Sequence, residues 1–235
     1  MQRITFWNIP ALALASALLA SAPVMADDTA KADDHGHDHS HDHAHDHDHT
    51  HAEGQDDKSR IYRGYFDDAQ VAPRPLTDWE GDWQSVYPYL QDGTLDPVMA
   101  HKAESGDKSA ADYRAYYDTG YQTDMDRITI AGDQITFHRG TAQAVATYAP
   151  DGFEVLTYEK GNRGVRFVFR KVQGDDAAPG FIQFSDHKIA PEAADHYHLY
   201  AGDDRAALLT EMTNWPTYYP ATLDGAAIVA EMLAH

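Results

Sequence analysis

Between Arg127 and Tyr200 the chain is punctuated by Gly, Asp or Asn at intervals of roughly 8 to 12 residues, and the stretches between are strand-like. They read RITIAG, QITFHRG, AVATYAPDG, FEVLTYEKGNRG, VRFVFRKVQGDD, GFIQFSD and HYHLYAGDD. β-Branched and aromatic residues fit a pleated, half-buried surface. So regular a succession predicts an antiparallel meander, closed as a barrel or folded as a sandwich. Within it Asp151-Gly152 signals a short turn.

The flanks read differently. Ile61 to Val71 suggests a turn of helix and then a bend. Trp83 to Tyr87 alternates large apolar with polar residues, which predicts a first strand closed by Pro88. Residues 97–119 predict helix in two pieces, broken near Ser105-Gly106-Asp107, with Ser109 capping the second piece and Gly120 stopping it. After Asp203-Asp204 the pattern returns to helix in RAALLTEM, NWPTYYP and LDGAAIVAEMLAH. The expected fold class is α+β, mainly β: an antiparallel barrel with flanking helical segments.

The first 26 residues predict a cleaved signal peptide, with Arg3, a short apolar run over residues 11–22 and the small-x-small site Val24-Met25-Ala26. No second apolar run follows, so the mature chain is expected to be soluble, exported to the periplasm and free of the membrane. Residues 27–58 hold no aromatic and almost no apolar residue but Ala, so they cannot bury surface to offset chain entropy. They predict a disordered tail, leaving residues 59–235 as the folded domain. The formal charge of -20 argues against nucleic acid as a partner. With no Cys, a thiolate metal site is excluded.

Two histidine clusters carry the chemistry. In the tail, His35, His37, His39, His41, His43, His45, His47, His49 and His51 occupy every odd position, and Asp38, Asp42, Asp46 and Asp48 between them attract cations. Many overlapping sites on a floppy tether bind weakly one by one, because each orders chain. The second cluster lies in SDHKIAPEAADHYHLY, residues 185–200. His196 and His198 are two apart in a strand, so both face one side, with Tyr197 and Leu199 on the other. A short loop brings His187 beside them. Three neutral imidazoles with an open fourth position suit Zn2+, and imidazole also suits Cu2+ and Ni2+. Asp186 and Asp195 are candidate acceptors for the ring N–H groups. His235 is a candidate fourth ligand, whereas His101 and His138 read as surface or structural residues.

A rival reading is a zinc-dependent hydrolase or lyase whose metal activates water. It needs a positioned base, for which Glu192 and Glu211 are the nearest candidates. No Gly-rich phosphate loop is present, and Ser185-Asp186-His187 is contiguous rather than spaced as a triad. A second rival is a barrel holding a small hydrophobic ligand, which leaves the histidines unexplained.

Over about residues 60–235 the chain resembles the periplasmic zinc- and cadmium-binding proteins of the ZinT/YodA family. The motifs are FDDAQV (66–71), LTDWEGDWQSVYPYLQDGTLDPV (76–98), YYDTGYQTD (116–124), FHRG (137–140), GVRFVF (164–169), FIQFSDHKIAP (181–191), HYHLYAGDD (196–204), TEMTNWPTYYP (210–220) and EMLAH (231–235). The resemblance implies a lipocalin-like (calycin) barrel with a zinc site of three histidines at its mouth, matching His187, His196 and His198. It implies a protein that binds Zn2+ and Cd2+ and passes zinc to the solute-binding protein of a zinc-uptake ABC transporter, and the chain is read as a non-enzymatic monomer. Familiar members carry two Cys on neighbouring strands, at positions that match Ala146 and Lys171 here, so that bridge is missing.

Overall fold

The computed structural model describes residues 57–210 and 212–234. The expected signal peptide, the nine tail histidines, Glu211 and His235 lie outside the described residues.

Eight antiparallel strands close into one barrel in chain order. They are β1 (Gly81–Ser85), β2 (Arg127–Ala131), β3 (Gln134–Arg139), β4 (Ala142–Thr157), β5 (Arg163–Gly174), β6 (Phe181–Ser185), β7 (Tyr197–Gly202) and β8 (Thr217–Pro220). β1 completes the ring against β8, with Gln84 opposite Tyr219. Closure leaves no strand edge to be protected. Alternation sets the faces: Ile128 and Ile130 of β2 and Ile135 and Phe137 of β3 point inward and are almost fully buried. The β2–β3 and β3–β4 hairpins turn through two residues, and Gly132 and Gly140 take φ of 61° and 59° there. Such turns need a residue that tolerates left-handed backbone.

The barrel is full. Trp79, from a 3-10 turn at Leu76–Trp79, enters the interior and stacks on Phe184 at 4.8 Å, with Phe167 and Phe169 at 5.6 and 5.9 Å. Trp83, Tyr197 and Tyr218 join the same cluster. Aromatic side chains thus occupy the space that the hydrophobic-ligand reading requires.

Helices α1 (Tyr87–Gln91), α2 (Asp96–Ser105) and α3 (Ala110–Tyr121) lie between β1 and β2, and α4 (Gly225–Leu233) follows β8. With the outer face of β8 they build a second core, in which Tyr219 meets Leu90, Val98, Met99, Tyr121 and Ile228. Ser109 caps α3 as expected, its hydroxyl accepting from the Asp112 N–H. No helix among the described residues is long and apolar enough to cross a membrane.

Five expectations are corrected. Pro88 does not close the first strand: β1 ends at Ser85, and Pro88 sits in the first turn of α1, where a missing N–H costs nothing. Asp151-Gly152 is no turn, because β4 runs through it with a register shift between Pro150 and Phe153. This bulge bends the 16-residue strand around the barrel and presents the Asp151 carboxylate to Arg205 Nε at 2.8 Å. Gly120 is not a stop. It lies within α3, where an added Cβ would come 2.5 Å from the Trp215 ring. Residues 217–220 are not helix but β8, with Tyr218 inward and Tyr219 outward. Four residues are too short for periodicity to separate the two states. RAALLTEM yields only a 3-10 turn at Ala207–Leu209. The positions matching the missing Cys pair fall on neighbouring strands: Ala146 is opposite Gly174 and Lys171 opposite Tyr148.

Candidate metal centre

Tyr197 and Leu199 of β7 belong to the barrel core, so His198 and its neighbour His196 project from the outer face of the wall. His187 follows β6 and joins them there. The site implied at the barrel mouth is therefore on the outside of strands β6 to β8. Two clefts flank it, of about 200 and 100 Å³. Tyr62, in the helical residues 57–62, lines both. Val98 and Lys102 of α2, Tyr121 of α3 and Met232 of α4 roof the smaller one.

The ring centroids stand 5.6 to 5.9 Å apart, and one ligand nitrogen from each ring lies within 4.8 Å of the others. Three nitrogens around a tetrahedral zinc stand about 3.3 Å apart, given bonds of ~2.0–2.1 Å. Small ring rotations thus bring the trio to ligating distance. Among the described residues it is the one group of three or more His, Asp and Glu so placed.

Hydrogen bonds select which ring nitrogen keeps a free lone pair. His198 Nδ1 lies 2.8 Å from Thr217 Oγ1, and that hydroxyl donates its own proton to the Trp215 carbonyl at 3.0 Å. Thr217 must then accept from His198 Nδ1–H, which leaves Nε2 as the lone pair. His187 Nδ1 donates to the Tyr62 carbonyl at 3.2 Å, with the same result. Neighbours of this kind orient ligands and fix their tautomers. Burial holds the His198 pKa well below the usual histidine range, aided by His187, His196 and Arg166, so this imidazole is neutral at physiological pH. His196, 8% exposed, stacks on Tyr219 at 5.1 Å.

His187 is the strained member. Its φ is 65°, the left-handed region that non-glycine residues avoid. The Tyr62 ring stacks on it at 4.3 Å. The loop around it is staked by Arg74, whose side chain is wholly buried. Arg74 donates to Asp78 Oδ2 at 2.8 Å, to Asp186 Oδ1 at 2.6 Å and to the Glu192 carbonyl at 2.6 Å, and its guanidinium lies 4.0 Å from the Trp79 ring centroid. Asp78 also receives the Glu192 N–H at 3.0 Å.

Asp186 Oδ1 accepts from Arg74 and from the Lys188 N–H while its Oδ2 is buried without a hydrogen-bond partner among the described residues, and Asp195 pairs with Lys188 at 2.9 Å. Glu192, the candidate base, is drawn to the same lysine at 3.2 Å. His101 is an exposed residue of α2 near Glu104, and His138 stands on β3 between Thr129 and Gln143. Sequence reading missed Tyr62, Arg74 and Thr217. Thr217 lies in NWPTYYP, which the pattern assigns to helix.

The family model described as ZinT (YodA) periplasmic lipocalin-like zinc-recruitment matches residues 57–235. The chain belongs to the ZinT family. It is similar to the probable metal-binding protein YrpE of Bacillus subtilis, 55% identical over 181 residues, covering 77% of this chain and 72% of that one. It is 47% identical over 185 residues to the zinc-binding lipoprotein AdcA of Streptococcus pneumoniae, covering 78% of this chain and 37% of AdcA. The chain thus spans little more than a third of AdcA. The crystal structure of the Zn(II)-bound ZinT-like domain of that AdcA shares 47% identity at a TM-score of 0.71, covering 74% of this chain and 97% of the domain. The ZinT fold and a place among zinc- and metal-binding proteins follow. This is a family of metal-binding proteins, not of enzymes.

Proposed function

We propose that His187, His196 and His198 hold one zinc ion in an extracytoplasmic protein that recruits zinc and releases it to a partner. The observation that carries this reading is the convergence of three imidazole nitrogens within 4.8 Å, two of them from rings whose Nδ1–H is already committed. The zinc-bound state of related domains supports the choice of metal. Cd2+ fits the same nitrogen set, and Cu2+ and Ni2+ are further candidates by ligand type. The open fourth position favours exchange, and His235 is its candidate side-chain occupant.

In this reading the tail histidines, His35 to His51, form an auxiliary feeder that raises metal concentration near the trio. The recipient is the solute-binding protein of a zinc-uptake ABC transporter. Supporting a location outside the cytoplasm are the signal-like first 26 residues and the lipoprotein among the relatives. Zinc calorimetry on residues 27–235, on a form starting at Ser59, and on the mature chain with all three histidines changed to Ala tests this. The tail-less form should keep one tight site and the triple variant should lose it. A tight site that follows the tail overturns the assignment.

A further inference from the structure

Val165, Phe167 and Phe169 of β5 point into the barrel, so Arg166 points out, on the same side as His198. It is nonetheless only 1% exposed. Its Nε and Nη1 are buried without a hydrogen-bond partner among the described residues. The guanidinium carbon lies 3.1 Å from the centroid of the Tyr200 ring, which offers a π face and no acceptor for the two N–H groups. A guanidinium keeps its charge at any physiological pH. Burying it without a counter-charge is strongly unfavourable. This chain carries 38 acidic residues, yet neither of these two nitrogens meets a carboxylate.

Arg166 lines a cleft of about 290 Å³. Tyr116, Tyr158, Tyr200 and Trp215 supply flat walls, Lys160 and Asn162 polar positions, and the exposed Glu159 a carboxylate at the rim that Lys160 offsets in charge. Gly164 is part of this construction. A Cβ there would come within 2.6 Å of the Tyr158 hydroxyl, so only glycine lets that ring lie against the strand. Tyr158 and Tyr200 also line the cleft that contains His187 and His198, so the two clefts share a wall.

We propose that this second cleft binds a small organic carboxylate, with the Arg166 guanidinium as its charge partner, the aromatic rings around its body and Lys160 near its entrance. A single buried monovalent cation stacked on an aromatic ring matches one negative charge on a flat apolar body better than a compact, multiply charged oxyanion. The proposal stands independently of the metal site.

Calorimetry on the metal-free full-length mature chain with benzoate, acetate and inorganic phosphate tests it. Benzoate should bind saturably at one site and more tightly than acetate or phosphate. Arg166→Lys, which keeps the charge and loses the planar donors, should weaken benzoate by about tenfold or more. Should that variant fail to fold, the exposed Lys160→Ala decides: affinity falls several-fold if the cleft is the site and is unchanged if it is not. Absence of saturable benzoate binding, tighter binding of phosphate, or benzoate binding that Arg166→Lys leaves intact would each overturn the proposal.

Discussion

Thr217 Oγ1 accepts from His198 Nδ1 at 2.8 Å while donating to the Trp215 carbonyl at 3.0 Å. One hydroxyl thereby ties a strand of the barrel to the orientation of a proposed ligand. Thr217→Val keeps the shape and removes the acceptor. Zinc affinity should fall ~10–100-fold, the usual effect of losing an outer partner, and Thr217→Ser should restore most of it. Competition with a chromogenic zinc chelator measures this. Equal affinity in all three proteins would show that the hydroxyl does not set the ring.

Arg74 and Asp186 form a pair whose side chains are both fully buried, next in sequence to His187. Removing Asp186 takes away one of the two carboxylates on Arg74 and leaves Asp78 as its counter-charge. Asp186→Ala should cost about 1.5–3 kcal/mol of folding stability, the worth of a hydrogen bond to a charged group. Zinc affinity should drop as well, because the loop bearing His187 loses its stake. Asp186→Asn should lose less of both. Urea unfolding with and without zinc separates the two effects.

Burial lowers the His198 pKa in the folded, metal-free chain. The unfolded chain titrates this ring near the ordinary value of ~6.5. Below that pH the unfolded state binds the proton more readily, so stability must fall with falling pH, until the folded-state pKa is passed. The contribution is fully present above ~6.5 and is lost on acidification. Replacing His198 by Gln should flatten the stability profile of the metal-free protein between pH 7 and 5, as read by denaturant midpoints. An unchanged slope would reject His198 as the source.

Helix propensity alone predicts that Gly120→Ala stabilises α3 by roughly 1 kcal/mol. The structure predicts the opposite sign, because the new methyl would meet Trp215 at 2.5 Å. Overpacking of this kind costs about 1–3 kcal/mol. A thermal melt settles the sign.

The barrel was legible where strands are long and hairpins tight, as in RITIAG and QITFHRG, whose Gly residues mark two-residue turns. It was illegible where one local signal has two physical uses. Asp151-Gly152 serves a bulge as well as a turn, and Gly120 serves close packing as well as helix termination. The spacing of His187, His196 and His198 reveals the trio, because parity along a strand fixes the face. Tyr62 and Arg74 escape such reasoning, since they lie more than a hundred residues away in sequence and act through a backbone carbonyl and a buried ion pair.

The filled barrel has one more consequence. His198 stands on a wall packed on both sides, and His196 rests against Tyr219 of the same wall. His187 alone of the three lies in a left-handed backbone conformation, which relaxation would relieve. The three proposed ligands are mechanically unequal. Ion departure should begin at the loop and finish at the wall, so the two-coordinate state with His196 and His198 is the one a recipient would meet.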